Sequence, residues 1–191
     1  DDSYQPDRGK VLSAEDLDNM DEFYRYLDVD GDHIPYRTLP GTHPTKGAFF
    51  TRGSGHNKYG RYTEDSAEYQ EVVDRLSAKW ENSKSAVPAP VIQKASSATR
   101  QGIIAIGSSD AAVTEARHRL EADGMPVDYM RVRAFPFSED VEAFMAAHDE
   151  IFVVEQNRDA QLRGLLVAET TAPKEKLVAI LHYSGEPLNF R

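Results

Sequence analysis

Cysteine is absent from this 191-residue chain, which excludes disulfides, a cysteine nucleophile, and thiolate ligands to zinc or an iron–sulfur cluster within it. Long hydrophobic runs are absent too, since no stretch approaches the roughly 18–20 apolar residues of a membrane span. Positive charge is scarce: 22 Lys and Arg stand against 32 Asp and Glu, for a formal net charge of −10 and a pI near 5.0. That balance argues against nucleic-acid binding, which needs a basic footprint. The opening DDSYQPDRGK is polar and lacks the hydrophobic segment of a signal peptide. A cytoplasmic location is expected, and a chain that begins without Met reads as a piece of something longer.

What is present is ordinary globular material, 40% apolar and 28% charged, enough for one sizeable domain or a domain with an extension. The most distinctive stretch is 37–61, RTLPGTHPTKGAFFTRGSGHNKYGR. It holds Arg37, Lys46, Arg52, Lys58 and Arg61 with His43 and His56, and no acidic residue. Its glycines let backbone approach a ligand closely, and clustered Arg and Lys bind carboxylate or phosphate. The alternative is a surface loop pairing with acidic neighbours. Long loops of this kind are usually functional or disordered; Phe49 and Phe50 need packing partners and argue for order.

Ser13 with Asp16 makes a capping box that opens a short acidic helix, expected to run to about Leu27. A second helix is expected over Ser66–Lys84, with Tyr69, Val72, Val73, Leu76 and Trp80 forming an apolar stripe. The Ser-, Ala- and Pro-rich stretch 83–101 reads as a connector. Beyond it, strands are expected at 102–109, 127–132, 151–155 and 177–183, alternating with helices over 110–123 (Gly124 as stop), 138–148 and 157–168. Such alternation implies crossovers over a mostly parallel sheet. The expected fold class is therefore α/β, a three-layer α/β/α domain over 91–191, preceded by a helical and loop extension over 1–90.

Two loops fall where helix N-termini meet the carboxyl ends of strands, Gly107–Asp110 and Glu155–Arg158. Either could hold a phosphate or carboxylate; the plainer reading is that Ser109 or Asp110, and Asn157, cap their helices. No Lys-Ser/Thr follows to make a P-loop. Asp28, Asp30 and Asp32 mimic the start of a calcium loop, but His33, Pro35 and Leu39 stand at its sixth, eighth and twelfth positions, so a solvated acidic turn is expected. The histidines show no metal-ligand spacing; His118 reads as polar surface and His148 as part of a core. Gly53-Ser54-Gly55-His56 lacks the preceding strand of a nucleophile elbow.

The segments YLDVDGDHIPYRTLPGTHPTKGAFFTRGSGHNKYGRYTED (26–65), VRAFPF (132–137), IFVVEQNRDAQLR (151–163) and LHYSGEPL (181–188) resemble the 2-oxoacid:ferredoxin oxidoreductases. The similarity is to the C-terminal part of the alpha subunit, most like the 2-oxoglutarate branch. The resemblance implies that 91–191 is similar to the transketolase C-terminal domain, and that the complete enzyme uses thiamine diphosphate, Mg and an iron–sulfur cluster. It would convert a 2-oxoacid to an acyl-CoA and reduce ferredoxin. By the same analogy, Arg52, His56 and Asn57, with Lys46 and Arg37, approach the substrate or CoA region. The catalytic Glu would lie in the preceding pyrimidine-binding domain of the alpha subunit, and the cofactors in the beta subunit. This chain would hold no cofactor and be inactive alone. Two other readings stand beside this one: a docking module without catalysis, and a small α/β nucleotide-binding protein.

Overall fold

The computed structural model describes residue 3, residues 5–49 and residues 53–189. The chain divides into two compact units, 1–83 and 84–191.

The first unit carries two helices. Helix α1 spans Ala14–Asp18 and has the expected capping box, with the Asp16 N–H donating to Ser13 Oγ at 3.2 Å and the Ser13 N–H to Asp16 Oδ2 at 2.8 Å. It stops far short of Leu27. Asn19 donates its side-chain amide to the Glu15 carbonyl at 2.9 Å, while Lys46 Nζ takes the carbonyls of Leu17 and Met20 at 3.1 and 2.7 Å. A cation on the last carbonyls is a favourable helix end. The residues that follow turn their rings to tertiary partners, Phe23 to Phe49, Tyr24 to Tyr59 and Tyr26 to His56. Helix α2 spans Ser66–Ser83. Its apolar stripe faces outward, with Tyr69, Val73, Leu76 and Trp80 all exposed.

The second unit is the α/β domain. The connector read at 83–101 contains a short strand, β1 (Val91–Gln93). The rest alternates: β2 (Gln101–Ile106), α3 (Ser109–Ala122), β3 (Asp128–Val132), α4 (Glu139–Ala147), β4 (Glu150–Glu155), α5 (Gln161–Glu169) and β5 (Leu177–Leu181). The strand order is β1-β3-β2-β4-β5. Every pairing among β2 to β5 is parallel, and β1 adds an antiparallel edge. Central β2 is buried from Gly102 to Ala105, as a strand covered on both faces must be.

Alternate residues enter two cores. On one face Ile104, Met130 and Val153 meet Phe144 and Met145 of α4 and Leu162 and Leu166 of α5. On the other, Ile103, Ala105 and Val154 meet Val113 of α3. The three layers are therefore α4 and α5, sheet, and α3. Gly124 ends α3 with φ +78, and the Met125 N–H reaches back to the Leu120 carbonyl at 2.8 Å. Among the described residues, no helix is long and apolar enough to cross a membrane.

Buried polar groups tie the edge strand to this frame. Arg117, in α3, sends Nε to the Val127 carbonyl at 3.2 Å and Nη1 to Gln93 Oε1 at 2.7 Å. Asp128 accepts Lys94 Nζ and the Ala95 N–H, both at 2.8 Å, and buried His148 joins it through Nε2 at 3.0 Å.

Candidate functional site

In an open parallel sheet a ligand crevice forms where neighbouring strands lead off in opposite directions. Here that point lies between β2, whose chain continues to β3 on one side, and β4, which continues to β5 on the other. The two loops singled out in the sequence meet there. Gln156 Nε2 donates to Ser108 Oγ at 2.9 Å and to Ser109 Oγ at 3.4 Å.

The first loop does not work as a simple cap, whereas in the second Asn157 Oδ1 accepts the N–H of Gln161, the first residue of α5. Ser108 and the α3 N-terminus have no side-chain capping bond. Asp110 instead accepts the Tyr129 hydroxyl at 2.8 Å and Arg131 Nη1 at 3.2 Å. Burial, followed by the Asp110 carboxylate, raises the Tyr129 phenol above its ordinary range. Helix α5 starts at Gln161 rather than 157, because Ala160 takes a left-handed conformation with φ 51. Of its first N–H groups, that of Gln161 donates to Asn157 Oδ1 at 3.2 Å and those of Leu162 and Arg163 to the Glu155 carboxylate at 2.7 and 2.9 Å, to which Asn157 Nδ2 adds a further bond at 2.6 Å. A buried carboxylate of the chain itself thus occupies the place an incoming anion would take.

The 37–61 ribbon is held by its own cations. Arg37 Nη2 donates to the Arg8 carbonyl at 2.7 Å, and Lys46 caps α1. His43 lies 3.0 Å from Asp18, and Lys58 pairs with Glu71 at 2.8 Å. His56 stacks on Tyr26 with ring centroids 4.1 Å apart and places Nδ1 2.9 Å from the Asn57 carbonyl. Asn57 organises a tight turn: its Oδ1 accepts the N–H groups of Tyr59 and Arg61, both at 3.1 Å, and its Nδ2 donates to Glu68 at 3.2 Å. Of the five residues expected at a site, the structure brings His56 and Asn57 together, while Arg37 and Lys46 anchor other parts of the ribbon. Arg52, like Phe50, lies outside the described residues.

The acidic turn carries its own counter-ion. The carboxylates of Asp28, Asp30 and Asp32 converge, but Lys10 Nζ sits 2.7 Å from Asp30 and 2.6 Å from Asp32. Desolvation works against the charge of Lys10, yet Asp30 and Asp32 push its pKa up to about 12. The ammonium stands where a metal ion would. Nothing in the spacing of Lys10 along the chain signalled this pairing.

No family model matches the chain. Among solved structures it is similar to a 2-oxoglutarate:ferredoxin oxidoreductase from Magnetococcus marinus, determined with 2-oxoglutarate, coenzyme A and succinyl-CoA bound. The TM-score is 0.76 at 25% sequence identity, over 90% of this chain and 29% of that one. The resemblance read from the sequence holds in three dimensions. This chain spans less than a third of the matched chain's length.

Proposed function

We propose that this chain is the C-terminal part of the alpha subunit of a thiamine-diphosphate-dependent 2-oxoglutarate:ferredoxin oxidoreductase. The observation that carries the reading is the similarity over 90% of the chain, which takes in the ribbon-bearing unit as well as the α/β domain. In this reading the chain shapes one wall of the active site and buries surface against the beta subunit in the cytoplasm. The remainder of the alpha subunit and the beta subunit are its direct partners; ferredoxin and CoA meet the complete enzyme. Thiamine diphosphate, Mg and the iron–sulfur cluster are held elsewhere in that enzyme. Without cysteine the chain offers no thiolate for a cluster, and two of its three converging carboxylates, Asp30 and Asp32, are engaged by Lys10. The isolated chain is inactive.

The ribbon's part is to receive an anion, either the second carboxylate of 2-oxoglutarate or the phosphates of CoA. Arg52 makes the contact, His56 and Asn57 set the turn beside it, and Lys46 and Arg37 hold the ribbon in place. A charge-assisted hydrogen bond contributes about 1.5–3 kcal/mol, so Arg52→Glu in the complete enzyme should raise the KM for one of the two substrates by about 10- to 100-fold. Steady-state kinetics with each substrate varied in turn reads this, alongside size-exclusion analysis of assembly. Unchanged KM values in an intact complex remove the ribbon from the site. A variant that fails to assemble supports the docking reading instead, which the exposed stripe of Tyr69, Val73, Leu76 and Trp80 on α2 favours.

A further inference from the structure

Helix α2 carries one cation that sequence spacing gave no reason to single out. Arg75 lines a cavity of about 480 Å³ within the first unit, between the 26–33 turn and α2, together with Tyr26, His33, Lys58, Val72 and Ala78. Its guanidinium donates one hydrogen bond, from Nη1 to the His33 carbonyl at 3.1 Å. Nε is enclosed and has no acceptor. Among the described residues Arg75 makes no ion pair. Burial pushes it below its ordinary pKa; Asp28 works against that shift and Arg25 with it. Two of the three acidic side chains in the lining are otherwise engaged: Glu71 binds Lys58 at 2.8 Å, and Asp28 accepts the N–H groups of Gly31 and His33 at 2.9 and 3.0 Å. Asp74 shares the lining but forms no ion pair with Arg75.

The bond to His33 has a second consequence. His33 is a non-glycine residue at φ 68, a strained conformation that persists only where the surroundings impose it. Asp28 holds its N–H and Arg75 holds its carbonyl. Its imidazole lies at the cavity rim, 41% exposed, with Nδ1 3.5 Å from Asp28 Oδ2. A half-buried guanidinium lacking a counter-ion, a lysine beside it and a strained histidine at the mouth are arranged around a space of ligand size.

We propose that this cavity is an oxyanion site anchored by Arg75, with Lys58 and His33 at its rim. A carboxylate or a phosphate supplies the charge and acceptors that the fold leaves unanswered, and a guanidinium fork suits either group. The site uses different atoms from the Arg52 contact proposed above and stands whether or not that assignment does.

The test titrates the full 191-residue chain separately with glutarate and with inorganic phosphate, following by ¹⁵N NMR the Arg75 Nε–H resonance and, in wild type and variants alike, the backbone amides of Asp28, His33, Val72 and Ala78 around the cavity, against a chloride control. Saturable movement of that resonance with glutarate alone, with phosphate alone or with both supports the site and names its chemistry. Arg75→Met should weaken binding at least 10-fold, while Arg119→Met, which removes an exposed cation of α3, leaves it unchanged. Should Arg75→Met misfold, Lys58→Gln provides a milder loss of about threefold, and the wild-type resonance needs no variant. No saturable movement with either anion at tens of millimolar, or equal binding by folded Arg75→Met, overturns the proposal.

Discussion

Replacing Glu155 with Ala asks how strongly the chain depends on supplying its own anion to α5. The carboxylate is 1% exposed and accepts the N–H groups of Leu162 and Arg163 and the Asn157 amide. A buried N–H left unanswered costs about 1–3 kcal/mol. Leu162 is buried and Arg163 is half-buried, so one full penalty and part of a second give about 2–4 kcal/mol. Loss of a helix cap, at about 0.5–2 kcal/mol, describes the same atoms and is not added. With a urea m value of about 2 kcal/mol/M, the midpoint for the second unit should fall by about 1–2 M. Far-UV circular dichroism and amide exchange at residues 151–154 report this unit. Emission from Trp80 reports the other. Without the carboxylate, the α5 N-terminus becomes open to an external anion, so phosphate should stabilise Glu155→Ala beyond its effect on wild type. A midpoint within about 0.3 M of wild type would refute the reasoning, because it would mean that water answers these N–H groups as well as Glu155 does.

Two further predictions concern the frame around it. A methyl added at Gly102 would stand 2.9 and 3.0 Å from the Phe144 ring and 3.3 Å from His148 Cγ. Gly102→Ala should therefore cost about 1–3 kcal/mol by overpacking, partly recovered by Phe144→Leu; a double-mutant cycle additive to about 0.3 kcal/mol would show the contact to be absent. Acid stability depends on Asp128. Burial works to raise its carboxyl, but Lys94, the Ala95 N–H and His148 hold it below the ordinary value of 3.8. A carboxyl depressed in the fold gives stability that is complete above its unfolded value and lost as pH falls through the folded one. Urea melts of wild type should therefore weaken below about pH 4, and Asp128→Asn, already weaker at neutral pH, should show a flatter profile there.

The α/β domain was legible because two physical constraints mark it in the sequence. Parallel strands buried on both faces become unbroken apolar runs, and Ile103–Ile106 and Ile151–Val154 are such runs. The helices between them need only one apolar stripe. Boundaries failed where polar side chains decide them: α5 begins four residues late because Glu155 and Asn157 draw the loop out before the first helical turn. Strand β1, at three residues, is too short for any period, and its place is fixed by Arg117 and Asp128 from across the fold. In the first unit, the periodicity of α2 was correct but could not say which side is wet. Of its apolar stripe Val72 turns inward, beside the cavity with Arg75 and Ala78, while the other four residues are exposed. Helix α1 stops early because Lys46, 26 residues or more away in sequence, satisfies its last carbonyls. Such long-range pairs leave no local signal.

The charge of the 37–61 ribbon shows why composition and available charge differ. Lys58 faces a carboxylate and is largely cancelled at a distance. Arg37 and Lys46 face carbonyl oxygens, which take their hydrogen bonds but not their charge. Among the described residues, neither has a carboxylate partner. Their side chains serve as structural struts, and their charge, not cancelled by an ion pair, is felt over about 8–10 Å at physiological salt. In the reading proposed for the ribbon, these cations draw an anion in through their field rather than by direct contact.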